Sequence, residues 1–186
     1  MKRQQLLQIL THVQREVLKM PVPTVSVLVI PLGSSGVKRH LYHTCVRVGK
    51  HLLEFGAVSG VQLHSFAPPS WLVQETLTFP SRLSARDTIA AIREVLERFD
   101  AQAYDLLRCN CNHFSKAVVD AVSTREYPRW INRAARQAEP FGCLVPPEFL
   151  RVDPYTRHRR LPSKRFRCVT GFRNCITACC MPGPAA

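Results

Sequence analysis

The sequence predicts an α+β fold in which a small antiparallel sheet packs against helices. Three observations carry that expectation. Extended runs fill residues 24–80, where "TVSVLVI" (24–30), "LYHTCVRVG" (41–49), "HLLEFG" (51–56) and "VQETLTFP" (73–80) alternate with Gly-, Pro- and Ser-containing turns. The second and third of these runs meet at Gly49 and Lys50, a connection short enough only for antiparallel neighbours. Beyond residue 84 the apolar period changes from 2 to 3.6, so strands give way to helices.

Taken in order, residues 4–19 place Leu6, Leu10, Val13 and Val17 on one helical stripe, and Pro21 and Pro23 end it. Residues 1–23 are therefore expected to form an accessory helix packed on the domain. The nearly unbroken apolar run at 24–30 reads as a buried strand, followed by the turn "PLGSSG". Residues 57–72, with Pro68 and Pro69, read as a loop. Ser84 with Asp87 three positions on resembles a capping box, and Ile89, Ile92, Leu96 and Phe99 form the apolar face of the helix it starts. Phe114, Ala117, Val118, Ala121 and Val122 recur at i, i+3, i+4, i+7 and i+8, so a second helix should begin close to Asn110 or Cys111. A short third helix is expected from near Pro128 through Ala135.

A chain of 186 residues with 46% hydrophobic side chains is long enough for one core, here assigned to residues 24–150. Residues 151–186 hold eight Lys or Arg against Asp153 alone, which is +7 of the +13 total, and four of the eight cysteines. That composition predicts a basic, Cys-rich disordered tail. Its function is either that of a solubilising extension or attraction to anionic lipid or nucleic acid, and "RNCITACC" adds S-acylation as a means of peripheral membrane contact. The longest apolar stretch, Val25 to Leu32, falls far short of the roughly 18 residues that span a bilayer, and no signal-peptide pattern is seen. A cytoplasmic location is expected, with nuclear or peripheral membrane association as variants, and the cysteines are expected to be reduced. No motif with interleaved aromatics points to nucleic acid, and none points to a cofactor.

The stretch "RCNCNHFSKAVVDAV" (108–122) carries the chemistry. A cysteine at a helix start faces unpaired N–H groups and about half a positive charge, which favours the thiolate. The backbone N–H of Cys111 is also placed to receive an oxyanion. His113 lies about 200° around the helix from Cys111 and points away. His43, in mid-strand with Leu41 and Cys45 on the same face, is the better candidate base. Two other readings compete: a metal knuckle of Cys109, Cys111 and His113 with His40 or His43, which lacks the spacing and second ligand pair of a zinc site, and a simple buried core cysteine.

"YHTCVRVG", the ending Phe55-Gly56, "YDLLRCNCNHFS" and "YPRWINRAA" together resemble the PPPDE family, the desumoylating isopeptidases, with Tyr104, Leu106, Asn110, Cys111, Asn112 and Phe114 filling its central element. Through "NCNHFS", "PRWINR" and "VPPEFL" the likeness is closer to the second subgroup than to the founding enzyme. The resemblance implies a circularly permuted papain-like fold and a Cys-His dyad, with Cys111 as nucleophile and His43 as base; beside that dyad, Asn110 or another polar group facing the thiol is expected to support the oxyanion. It also implies a thiol protease that removes SUMO or ubiquitin from conjugates, without metal or cofactor, and a homodimer with a shared groove. The alternatives it leaves are a thioesterase that depalmitoylates S-acylated proteins through the same dyad and a silent adaptor that holds a ubiquitin-like partner. The acidic-aromatic strand of the family appears here as "HLLEFG" with Glu54 displaced, so no carboxylate is assigned by motif.

Overall fold

The computed structural model describes residues 3–32, 41–66 and 68–144. Helix α1 (Arg3–Val17) leads into strand β1 (Thr24–Pro31), followed by β2 (Tyr42–Val48), β3 (His51–Gly56), β4 (Gly60–His64) and β5 (Glu75–Pro80). The helices α2 (Ala85–Arg98), α3 (Cys111–Val122) and the short α4 (Arg133–Ala138) come after the strands. The five strands form one antiparallel sheet in the order β4-β3-β2-β1-β5. The tail at 151–186, His40 and the "VPPEFL" stretch lie outside the described residues.

Strand alternation divides the sheet between two clusters. Val25, Val27, Val29, Val46, Val48, Leu53, Phe55, Val61 and Phe79 face the helices and form the main core with Ile92, Leu96, Phe114 and Val118. Leu28, Ile30, Cys45 and Leu52 form a second, smaller cluster with Val73. At the join of sheet and helices, Phe55, Phe99 and Phe114 meet with ring centroids 5.1–6.1 Å apart, which fixes α3 against β3. Helix α1 belongs to the same core, because Ile9, Leu10, Val13 and Val17 are all buried in it.

Two expectations need correction. Residues 60–64 are not loop but strand β4, paired with β3 from Leu52↔His64 to Gly56↔Gly60. The strand is short and opens on Gly60 at φ 68°, so a window of strand-forming residues hardly exists there. The third helix starts at Arg133 rather than near Pro128, because residues 128–132 form turns. The other boundaries agree closely: Gly49, at φ 59°, makes the β2–β3 turn, and the Ser84 side chain accepts the Asp87 N–H at 3.2 Å to start α2.

Candidate active site

The site begins with a tight turn before α3. Asp105 and Cys109 exchange backbone hydrogen bonds at 3.0 and 2.8 Å, while Asp105 Oδ1 accepts the amides of Leu107 and Arg108 at 2.9 Å each. This Asx-type closure delivers Asn110 in extended conformation (φ −114°, ψ −175°) as the N-cap. Asn110 Oδ1 accepts from the amides of Asn112 (2.9 Å) and His113 (3.1 Å), and His113 Nδ1 accepts from the Asn110 amide at 3.2 Å. The result is a capping box with histidine in the place usually taken by Glu or Gln. Cys111 is thereby the first residue of a 12-residue helix, at its positive end.

Strand β2 then clamps this helix start. Thr44 Oγ1, fully buried, lies 3.2 Å from the Cys111 carbonyl oxygen, 3.0 Å from Asn112 Oδ1 and 2.8 Å from Ser115 Oγ. Asn112 Nδ2 donates to the Tyr42 carbonyl at 3.0 Å. The β2–β3 ladder contains only three pairs and stops at Val46↔Leu53, although each strand continues with its other neighbour. The open end of that ladder is where α3, packed on both strands, meets the side chains of β2 and β3.

His43 and Cys111 are brought together there, joined by a hydrogen bond and by charge attraction. The ring is also held from behind: His43 Nε2 is 2.9 Å from Glu54 Oε1, and Cys45 Sγ is 3.5 Å from the same nitrogen. Glu54 Oε2 in turn lies 3.1 Å from His64 Nε2. Burial of His43, 2% exposed, works against its charged form, but the Cys111 thiolate, the bond from Cys45 and the Glu54 carboxylate outweigh it and hold the imidazole pKa well above its ordinary value. Burial also works to raise Glu54, but His43 and His64 keep it below the usual carboxylate range. An imidazolium held between a cysteine sulfur and a carboxylate can donate a proton to a leaving group and, once neutral, accept one from water.

The structure places the remaining candidates elsewhere. Asn110 is committed to the cap, and its Nδ2 donates to the Leu106 carbonyl (2.7 Å) and reaches Asn132 Oδ1 (3.3 Å). His113 belongs to the capping box, with its pKa lowered to about 4 chiefly by burial, so it is neutral near pH 7. Cys109 packs in the main core. Among the described residues, Cys109, Cys111 and His113 are not gathered around any point that could hold an ion. Glu54 is the residue that sequence reasoning missed. The signal was the hairpin register: a two-residue turn at Gly49 and Lys50 sets Cys45 opposite Glu54, on the face that also carries His43.

The Cys111 thiol is confined. Cys111 is 5% exposed, and two surface cavities, one of about 450 Å³ between α1 and β4 and one of about 390 Å³ beside β1 and β5, are lined by other residues. Among the described residues, no helix is long and apolar enough to cross a membrane.

A DeSI-like protein of Arabidopsis thaliana is 27% identical over 118 residues, which cover 63% of this chain and 51% of the relative, so the chain spans about half the length of that protein. The PPPDE putative peptidase domain matches residues 10–149, a span that includes the last two turns of α1, the whole sheet and the Cys111 helix. With its α+β, papain-like architecture and its paired cysteine and histidine, the chain belongs to the PPPDE peptidase family.

Proposed function

We propose that the protein is a cysteine-dependent isopeptidase that removes SUMO or ubiquitin from conjugates, with Cys111 as nucleophile, His43 as acid and base, and Glu54 as the group that positions His43. The observation that carries this reading is the chain of contacts from Cys111 to His43 to Glu54, the last at 2.9 Å. The thiolate attacks the isopeptide carbonyl, and the oxyanion turns toward the Cys111 N–H. As the first amide of α3, that group has no carbonyl one turn earlier to bond, and one such donor contributes about 3 kcal/mol to the transition state. His43 gives its proton to the departing lysine amine, leaving a thioester. The neutral ring then takes one proton from water, which attacks the thioester and releases the thiolate and a carboxylic acid, whose proton passes to solvent. A thiol only 5% exposed admits a slender acyl group, which suits an extended, glycine-ended tail.

The test is turnover of SUMO, ubiquitin and palmitoyl-thioester reporters by wild type, Cys111→Ala and His43→Ala. Isopeptide cleavage that falls by at least ~10³-fold in both variants is the expected result. Cleavage of the thioester alone would make the protein a depalmitoylating enzyme, and binding of a ubiquitin-like protein without turnover would make it an adaptor. An activity-based probe that labels Cys111→Ala as well as wild type would remove Cys111 from the mechanism.

A further inference from the structure

We propose that His43, Cys45 and Glu54 form a zinc-binding site, and that zinc bound there silences the dyad by occupying its imidazole; the silencing, though not the binding, rests on the hydrolase reading above. Cys45 Sγ lies 3.5 Å and Glu54 Oε1 2.9 Å from His43 Nε2, and the three ligand atoms all lie within 4.8 Å of one another. Tetrahedral zinc with bonds of about 2.0–2.1 Å to N or O and about 2.3 Å to S separates neighbouring ligand atoms by roughly 3.3–3.6 Å. The sulfur–nitrogen distance already fits. The carboxylate has to retreat by a few tenths of an ångström, and its side chain, 20% exposed, is free to do so on the solvent side.

The arrangement is set by strand geometry rather than by mobile side chains. Cys45 and Glu54 follow the last pair of the β2–β3 ladder, and His43 is two residues along β2 on the same face. His43 and Cys45 are 2% and 5% exposed, while Glu54 and His64 give the cluster its path to solvent. His64 Nε2, 3.1 Å from Glu54 Oε2, makes no aligned hydrogen bond and stands beside the carboxylate, where it would steady that ligand or complete the fourth position. The ordinary role of a buried cysteine is packing, and Cys45 does touch Leu28, Ile30 and Leu52. Packing does not account for a thiol directed at a ring nitrogen that also holds a carboxylate. A mixed N, S and O set selects zinc over magnesium or calcium.

Binding transfers the Cys45 thiol proton and the imidazolium proton to solvent, and no electron moves. The ring then coordinates zinc through Nε2 and no longer serves Cys111 as a charged partner. The experiment is zinc titration of the reduced, metal-stripped full chain against a chromophoric chelator, with Cys45→Ser, Glu54→Gln and Cys111→Ser alongside wild type. Because other cysteines and histidines of the chain also bind zinc, the quantity read is the equivalent lost in each variant. The expected result is that Cys45→Ser loses one equivalent, Glu54→Gln weakens that equivalent at least tenfold, and Cys111→Ser keeps it. Unchanged titrations of Cys45→Ser and Glu54→Gln would overturn the proposal, as would loss in Cys111→Ser with retention in Cys45→Ser, which would put the ion on the dyad thiol. Should Cys45→Ser fail to fold, Glu54→Gln, on a partly exposed side chain, decides alone. Cys111→Ser cannot turn over, so binding is judged independently of hydrolysis, while failure of the hydrolase reading appears as absent turnover in zinc-free wild type.

Discussion

The charge state of one imidazole is decided by its three neighbours. Desolvation works against the His43 cation, yet the Cys111 thiolate, Cys45 and the Glu54 carboxylate prevail, so the ring keeps its proton well above the ordinary histidine range. Glu54→Gln preserves the shape and removes the charge. It should lower kcat/KM on an isopeptide reporter by roughly 10²-fold and shift the alkaline limb of the pH–rate profile to lower pH, because the imidazolium then gives up its proton sooner. A residue with only a packing role would lower activity without moving that limb. The same shift links to stability: a raised folded-state pKa stabilises fully below the unfolded value of about 6.5 and fades as pH rises through the folded value. Cys111→Ala should therefore remove part of the wild-type loss of stability on the alkaline side, as read by urea unfolding at pH 6 and pH 9. Cys111 itself is legible in sequence because a helix start is a local event. The pairing of residues 43 and 111 is not local: strand alternation and helix geometry favour His43 over His113 as the partner of Cys111, and the family resemblance adds the two as a dyad. Glu54 was legible in principle from hairpin register, but its displacement from the family's strand pattern concealed it.

At the level of the element, the start of α3 is a device built from three polar residues, and its unusual member is His113. The ring accepts the Asn110 amide through Nδ1, and its Nε2 lies 2.8 Å from Asn132 Nδ2. Burial above all keeps it neutral, with a pKa of about 4; Lys116 and Arg136 add to that and Asp105 opposes it. The unfolded chain therefore takes up a proton here between about pH 6.5 and 4 and the folded chain does not, so stability falls as pH drops through that window, by up to an order of 3 kcal/mol. In His113→Gln the amide oxygen takes over the N3 role of the capping box without titrating. That variant should match wild type within about 1 kcal/mol at pH 7 and exceed it by roughly 2 kcal/mol at pH 4.5 in urea titrations. Equal acid sensitivity of the two proteins would show that His113 protonates without cost. Periodicity located α3 to within a residue because Phe114, Val118 and Val122 all point into the core. It missed β4, whose strand character comes from pairing with β3 and not from its own residues.

Across the whole molecule, α1 matters most, because it decides whether the catalytic unit begins at the first strand or at the first helix. Its four buried apolar residues, at roughly 1.5–3 kcal/mol each as upper figures, amount to a large share of the net stability of a domain this size. The helix is also tied to the β2–β3 hairpin. Glu16 Oε2 accepts the Lys50 amide at 3.3 Å, and a Cβ on Gly49 would run into the Glu16 side chain. That hairpin carries His43, Cys45 and Glu54, so loosening α1 loosens the site some distance away. The match to the peptidase family from residue 10, inside α1, agrees with a single unit. Val13→Asp places a charge at a fully buried position of the helix and should cost at least ~3 kcal/mol. If α1 is integral, denaturation stays a single transition with a lower midpoint, and alkylation of Cys111 by iodoacetamide, mapped by mass spectrometry, loses its distinctive rate along with it. If α1 is an appendage, the helix unfolds in a separate early step while the Cys111 alkylation rate and the main midpoint stay at wild-type values.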